Sequence, residues 1–162
     1  MAYVSITKPD GSSLLSNTIF STSGTFVDTR VLPGAGTYTL TVDPQGAATG
    51  SATLTLYDVP ADAAATLTVG GPAQSISLAR PGQNGRVTFA GHAGQAVSLK
   101  ITGVTVSTSF VSILKPDGTT LVSNTLVGTP GRTITANLPA EGSYTVVIDP
   151  QAAATGSMTF SL

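Results

Sequence analysis

The sequence predicts an all-β protein, an antiparallel β-sandwich built from repeats. Apolar residues alternate with Ser and Thr along most of the chain, as in 37–42, where Tyr, Leu and Val alternate with Thr. A period of two, with one apolar and one hydroxyl face, is typical of half-buried antiparallel strands. Turn signals recur roughly every 8 to 12 residues, which is the spacing found in sandwiches. The third observation is an internal repeat.

The repeat sets the size of the domain. Residues 3–18 return at 110–125 with 11 of 16 positions identical, and residues 32–56 return at 138–162 with 15 of 25 identical. The offset is 107 in the first block and 106 in the second. A period of this length is that of a domain array and not of a solenoid of short repeats.

The middle segment, 57–109, has no strong match elsewhere in the chain. We therefore predict one complete repeat unit at 57–162, with about nine strands, and the second half of another unit at 1–56, with about five strands. A half unit leaves a sheet face and a strand edge uncovered. In the alternative arrangement, 57–109 pairs with the first half, which makes 1–109 a permuted sandwich and leaves 110–162 as the half unit.

Each strand is predicted from its own alternation, and its limits from the turn residues beside it. The predicted strands are 3–7, 12–16, 25–31, 36–42, 51–57, 64–69, 74–79, 86–90, 95–102, 110–114, 119–123, 132–136, 142–148 and 157–162.

Three turns carry clear signals. Residues 8–11 and 115–118 read KPDG, in which proline presets the second turn position and glycine takes the left-handed fourth. This pattern predicts a hairpin with a bulge. Residues 83–86 read QNGR and predict a further hairpin between the strands near 74–79 and 86–90.

The composition excludes several functions. Only 9% of the residues are charged, against ~25% in a typical soluble domain, and the net charge is −1. Without a basic cluster, nucleic-acid binding is not expected, since Lys and Arg must displace the counterions of the phosphates. No apolar run is long enough to insert into a membrane. A hydroxyl-rich, weakly charged surface is common on secreted and wall-associated β proteins, so we expect an extracellular or cell-surface location.

Four segments together resemble the bacterial pre-peptidase C-terminal domain: PGQNGRVTFAGHAGQAVSLKITG at 81–103, FVSILKPDGTTL at 110–121, LPAEGSYTVVIDP at 138–150 and a closing MTFSL. The resemblance covers 57–162 and, for its second half, 1–56. It implies a small jelly-roll-like sandwich, appended in tandem to large secreted or surface proteins of bacteria. Its motifs are mostly structural ones.

One departure from this family concerns calcium. The resemblance implies carboxylates just before the strand that leads to the PDG turn, but residues 106–110 read VSTSF. Asp43 and Asp149 are the candidate metal ligands, because each opens a loop. Calcium requires about six to eight oxygens, and each loop offers one carboxylate. We therefore expect no cofactor, or at most weak calcium occupancy.

Enzymatic chemistry is not expected. His92, the only histidine, lies in the Gly-rich turn 91–94, as a solvated turn residue would. No G-x-S-x-G motif is present, and the aspartates of the PDG and DPQ segments are explained by turn capping.

The aromatic residues suggest the second function class. Carbohydrate-binding modules stack exposed aromatic rings on sugars. Phe20, Phe26 and Tyr57 are the aromatic residues least explained by the core pattern, so they are the candidate ligand-binding residues.

We thus predict a non-catalytic repeat module that acts as a spacer, an adhesion element or an accessory binding element. The alternative is a carbohydrate-binding module appended to a secreted hydrolase. The expected partners are neighbouring repeat units or identical chains, bound through exposed strand edges by strand addition or swapping, and polysaccharide in the alternative.

Overall fold

A computed structural model describes residues 1–162. It contains twelve β-strands, which confirms the all-β class predicted from the sequence. It contains no helix that is long and apolar enough to cross a membrane. The strands are β1 (Ala2–Thr7), β2 (Ser13–Phe20), β3 (Thr39–Pro44), β4 (Ala63–Leu67), β5 (Gln74–Leu78), β6 (Gly85–Gly91), β7 (Ala96–Thr102), β8 (Thr108–Leu114), β9 (Thr120–Gly128), β10 (Arg132–Asn137), β11 (Gly142–Pro150) and β12 (Gly156–Ser161).

The chain divides into two compact units, Met1–Leu56 and Tyr57–Leu162. The first unit holds one three-stranded sheet with the order β2-β1-β3. The second unit holds a five-stranded sheet, β4-β6-β11-β8-β9, and a four-stranded sheet, β10-β7-β12-β5. Strands β4 to β7 thus pair with strands of the segment 110–162 or with one another.

The two sheets of the second unit share one apolar core, as a β-sandwich requires. Buried and exposed residues alternate strictly along β7, and nearly so along β6 and β11. This alternation matches the period of two in the sequence, since successive side chains of a strand point to opposite faces. The largest fully buried side chains are Tyr144, Phe89, Phe160, Leu78, Leu99, Ile101, Ile113, Leu138, Ile148, Met158, Val87 and Val106.

The repeated blocks pair in the same register in both units. Strand β1 lies between β2 and β3, as β8 lies between β9 and β11. Tyr3 is opposite Asp43, and at the repeat offset Phe110 is opposite Asp149. The pairs β1–β2 and β8–β9 also carry register shifts at corresponding positions. The repeat is therefore one of strand pairing as well as of sequence.

The first unit has three strands where the sequence predicted about five, because residues 25–31 and 51–57 form no strand. Their counterparts in the second unit are β10 and β12, which pair with β7 and β5 in the four-stranded sheet. A strand needs neighbours for its backbone hydrogen bonds. The first unit holds no counterparts of β5 and β7, so alternation alone forms no strand there.

The hairpin predicted at residues 83–86 is wrong. Strand β5 belongs to the four-stranded sheet and β6 to the five-stranded sheet, so the chain crosses from one sheet to the other between them. The buried Gln83 side chain holds this crossing: its Oε1 accepts from Ala79 N at 2.9 Å, and its Nε2 donates to Ala61 O at 3.0 Å. Strand β4 pairs with β6 in parallel, against the antiparallel pairing predicted throughout.

Candidate functional site

The aspartates of the two KPDG turns hold those turns together. Asp10 Oδ1 accepts hydrogen bonds from Ser12 N at 2.8 Å and from Ser12 Oγ at 2.6 Å. Asp117 Oδ1 accepts from Thr119 N at 2.9 Å and from Thr119 Oγ1 at 2.6 Å. The hydroxyl donors, and then the backbone donors, hold the pKa of both carboxyl groups below its usual value. These carboxylates act in the turn, as their sequence context predicted.

A tyrosine hydroxyl closes a second loop in each unit. Tyr144 OH donates to Ala140 O at 2.7 Å and accepts from Ala140 N at 3.2 Å. Tyr38 OH donates to Gly34 O at 2.8 Å. This bond to the backbone four residues upstream is the geometry of a tyrosine corner. Tyr144 is fully buried and Tyr38 is half-buried.

The two candidate metal ligands lie in corresponding places of different units. Asp43 is exposed near the end of β3, and Gln45 Nε2 lies 3.4 Å from both its backbone oxygen and its Oδ2. Asp149 is half-buried in β11, and Gln151 Nε2 lies 3.4 Å from its backbone oxygen. The structure gathers no group of three or more His, Asp or Glu side chains. Weak calcium occupancy stays a prediction.

The three candidate aromatic residues have different surroundings. Phe20 ends β2 and is half-buried, and its counterpart in the second unit, Val127, is a core residue that is 1% exposed. Phe26 is half-buried in a segment without regular structure. Tyr57 is 45% exposed and begins the second unit. Of the three, Tyr57 presents the most open ring, and sugar binding stays a prediction.

The remaining charged side chains form separate pairs. His92 is exposed, and its Nδ1 lies 3.9 Å from the carboxylate of Glu141, which is also exposed. Arg86 Nε donates to Asp62 Oδ2 at 2.7 Å, beside the parallel pair of β4 and β6. Exposed pairs of this kind contribute about 0–1 kcal/mol to stability.

The largest difference between the units is an uncovered apolar face in the first one. Apolar residues of 1–56 stand at repeat positions whose counterparts form the sandwich core. Sequence reasoning predicted an uncovered face but did not name these residues, which the repeat alignment alone identifies. The exposed fractions are 58% for Leu32 against 1% for Leu138, 37% for Val42 against 0% for Ile148, and 52% for Leu54 against 0% for Phe160.

An open strand edge adjoins this face. In the second unit, β11 pairs with β8 on one side and with β6 on the other. Its counterpart β3 pairs with β1 alone, so one row of backbone donors and acceptors has no strand beside it. An open edge of this kind is a template for pairing with a further strand. The face and the edge together form the candidate functional site of 1–56.

No family model matches the sequence, and no curated protein matches it. Three solved structures have a similar arrangement. The pre-peptidase C-terminal domain of collagenase from Bacillus anthracis gives a TM-score of 0.47 at 13% identity, over 65% of this chain and 98% of that domain. PliG of Aeromonas hydrophila, a periplasmic inhibitor of g-type lysozyme, gives 0.43 at 18% identity, over 62% and 98% of the two chains. A beta-glucosidase from Paenibacillus barengoltzii gives 0.24 at 19% identity, over 60% of this chain and 11% of the enzyme.

At these identities the similarity concerns the fold alone. A pre-peptidase C-terminal domain, the family that the sequence motifs of 57–162 resemble, is among the solved structures that share this arrangement of strands.

Proposed function

We propose that the chain is a non-catalytic β-sandwich repeat module of a secreted or cell-surface protein, and that it works as a spacer and accessory element. In this role the repeats hold other parts of the protein apart, and weak contacts of several modules add together.

One observation carries this proposal: the residues that the two copies share are scaffold residues. The aspartates of both KPDG turns bond to the hydroxyl residue two positions on, at 2.6 Å in each copy. The tyrosines of both corners bond to the backbone four residues upstream. A module whose repeated residues serve turns and corners preserves a shape, which is what a spacer needs.

A second candidate function, carbohydrate binding, is favoured by Tyr57. Its ring is 45% exposed, and an exposed aromatic ring can stack on the apolar face of a pyranose. Phe20 and Phe26 would complete such a platform only if their half-buried rings turned outward.

Retention on a panel of insoluble polysaccharides distinguishes the two functions. We expect the chain to elute with the unbound fraction from every polysaccharide. Retention that is lost in Tyr57→Ala, and kept in the control Leu126→Ala, would favour the carbohydrate-binding module instead. Leu126 suits the control because it is 52% exposed and lacks an aromatic ring.

A further inference from the structure

We propose that residues 1–56 are one half of a second sandwich, and that their open face and edge bind a four-stranded segment with the pattern of β4–β7. Binding would rebuild in the first unit the sheets that the second unit already has. The proposal concerns assembly and holds for either function above.

The second unit shows what covers this face. Strand β6 pairs with the side of β11 that corresponds to the open edge of β3. The ring of Phe89 stacks on the ring of Tyr144, with centroids 5.4 Å apart. A Cβ atom added to Gly91 would overlap the Leu138 side chain and lie 3.4 Å from the Tyr144 ring. Close contacts of this kind bury the core positions of the second half-sandwich.

The acceptor residues for the same contacts are present in 1–56. Tyr38 and Leu32 stand at the repeat positions of Tyr144 and Leu138. The register of β11 with β6 therefore predicts the register of β3 with the bound segment. In that register Tyr38, Leu40 and Val42 lie opposite the positions of Phe89, Val87 and Gly85.

A glycine gives independent support. Gly156 has a φ of +143°, and a Cβ atom there would lie 2.7 Å from Val106 N, in the loop that follows β7. Its counterpart Gly50 has a φ of +155° with nothing within 4 Å of the added atom. Gly50 thus keeps the backbone conformation that leaves room for such a loop. The bound segment therefore includes the counterpart of this loop and extends over the length of 57–109.

The hydrogen bonds of that loop also have their acceptor ready. In the second unit Thr105 N donates to Ser157 O at 2.9 Å, and Ser157 N donates to Thr105 Oγ1 at 2.8 Å. Ser51 occupies the position of Ser157 in the first unit. The loop of a bound segment would therefore meet the same polar partner.

A count of halves decides the source of the segment. The 162 residues contain two halves of the acceptor type, 1–56 and 110–162, and one of the donor type, 57–109. Identical chains that exchange donors always leave one acceptor open for each chain, so exchange gains no buried face. We therefore identify the occupant as a β4–β7-type segment of another repeat, one that has no second half of its own beside it.

The first test adds the peptide 57–109 to the full chain and follows hydrogen exchange. We expect a complex with one peptide per chain and exchange in β3 slowed by at least about tenfold, since its open edge gains hydrogen bonds. Val42→Asp should abolish this protection, because Val42 faces the new core. The matched control Thr41→Asp, on the opposite face of β3, should keep it. Protection confined to β11 would overturn the proposal, since it means exchange within the second unit.

The second test makes the segment covalent, so that solubility of the peptide does not decide the outcome. Residues 57–109 are fused directly to Tyr3, which reproduces the repeat offset of 107. We expect the fused chain to lose most of the binding of a dye for exposed apolar surface, and Val42→Asp to restore it.

Two results would overturn the proposal. In the first, β3 of the fused chain exchanges as fast as in the parent chain. In the second, the parent chain alone forms a stable dimer that protects β3 and is not displaced by the peptide, which would make a second copy the occupant.

Discussion

The ring of Phe89 in β6 lies on the ring of Tyr144 in β11, with centroids 5.4 Å apart and planes inclined by 15°. Both side chains are fully buried, and they join the segment 57–109 to the segment 110–162. The contact is therefore the point at which the two halves of the sandwich meet most directly.

Phe89→Ala should destabilise the second unit by about 3–5 kcal/mol, because it removes buried ring surface and leaves a cavity beside Tyr144. Urea unfolding followed by the fluorescence of Tyr144 measures this loss. Phe20→Ala is the control, since Phe20 is half-buried in the other unit and should leave this transition unchanged. A loss below about 1 kcal/mol would show that the stacked pair does not hold the halves together.

Thr119→Val should raise the pKa of Asp117 toward its usual value of 3.8. In the folded protein this pKa is lowered, first by the Thr119 hydroxyl and then by its backbone N–H. A lowered pKa means that the ionised carboxylate stabilises the turn above pH 3.8 and that this contribution is lost as the pH falls through the folded value. Carboxyl-carbon NMR titration measures the change.

Asp10 is the internal control for this titration, because its donors belong to Ser12. Its pKa should stay where it is in Thr119→Val. Movement of both carboxyl groups, or of neither, would contradict the local origin of the shift.

Gly131→Ala should cost more stability than Gly118→Ala, although both glycines have a positive φ, +75° and +80°. A Cβ atom at Gly131 would overlap the carbonyl oxygen of Ile101, whereas one at Gly118 meets nothing within 4 Å. The open position should lose about 1–2 kcal/mol from the left-handed backbone alone. The crowded one should lose a further 1–3 kcal/mol, roughly, from overlap. Equal losses in urea unfolding would contradict the overlap.

Calcium should stabilise the protein only slightly. A single carboxylate in each loop, Asp43 or Asp149, predicts an affinity in the range of weak extracellular sites, about 10⁻⁴–10⁻³ M. At a calcium concentration equal to Kd, the gain in unfolding free energy is about 0.4 kcal/mol. Thermal unfolding with calcium and with a chelator tests this, and Asp43→Asn with Asp149→Asn should remove the small difference. A gain of several kcal/mol would contradict weak occupancy.

Local alternation predicted most strands of the second unit, because a half-buried strand writes its two faces directly into the sequence. It also predicted strands at 25–31 and 51–57 that do not form, since alternation does not report whether a neighbouring strand exists. The turn at 83–86 shows the same limit. A turn signal marks a reversal of the chain, but it does not tell whether the next strand stays in the same sheet.

The candidate site could be predicted in part. The repeat alone indicated that 1–56 is a half unit with an open face, and comparison with 110–162 names its residues. The exposure of Tyr57 and the half-burial of Phe20 could not be derived, because both depend on packing between segments distant in sequence. The partner of β4 is a further example: its parallel pairing joins residues about twenty positions apart.

The parallel pair of β4 and β6 has a consequence for tension. The second unit enters its sheet at Ala63, and its last residue, Leu162, bonds through its carbonyl oxygen to Gly70 N, beyond the far end of β4. A pull on the two ends of this unit therefore acts along β4, and it loads the five residue pairs from Ala63–Gly85 to Leu67–Phe89 together instead of opening them one after another. Under stretching, this unit should yield by sliding of β4 along β6, at a higher force than a ladder that unzips from one end.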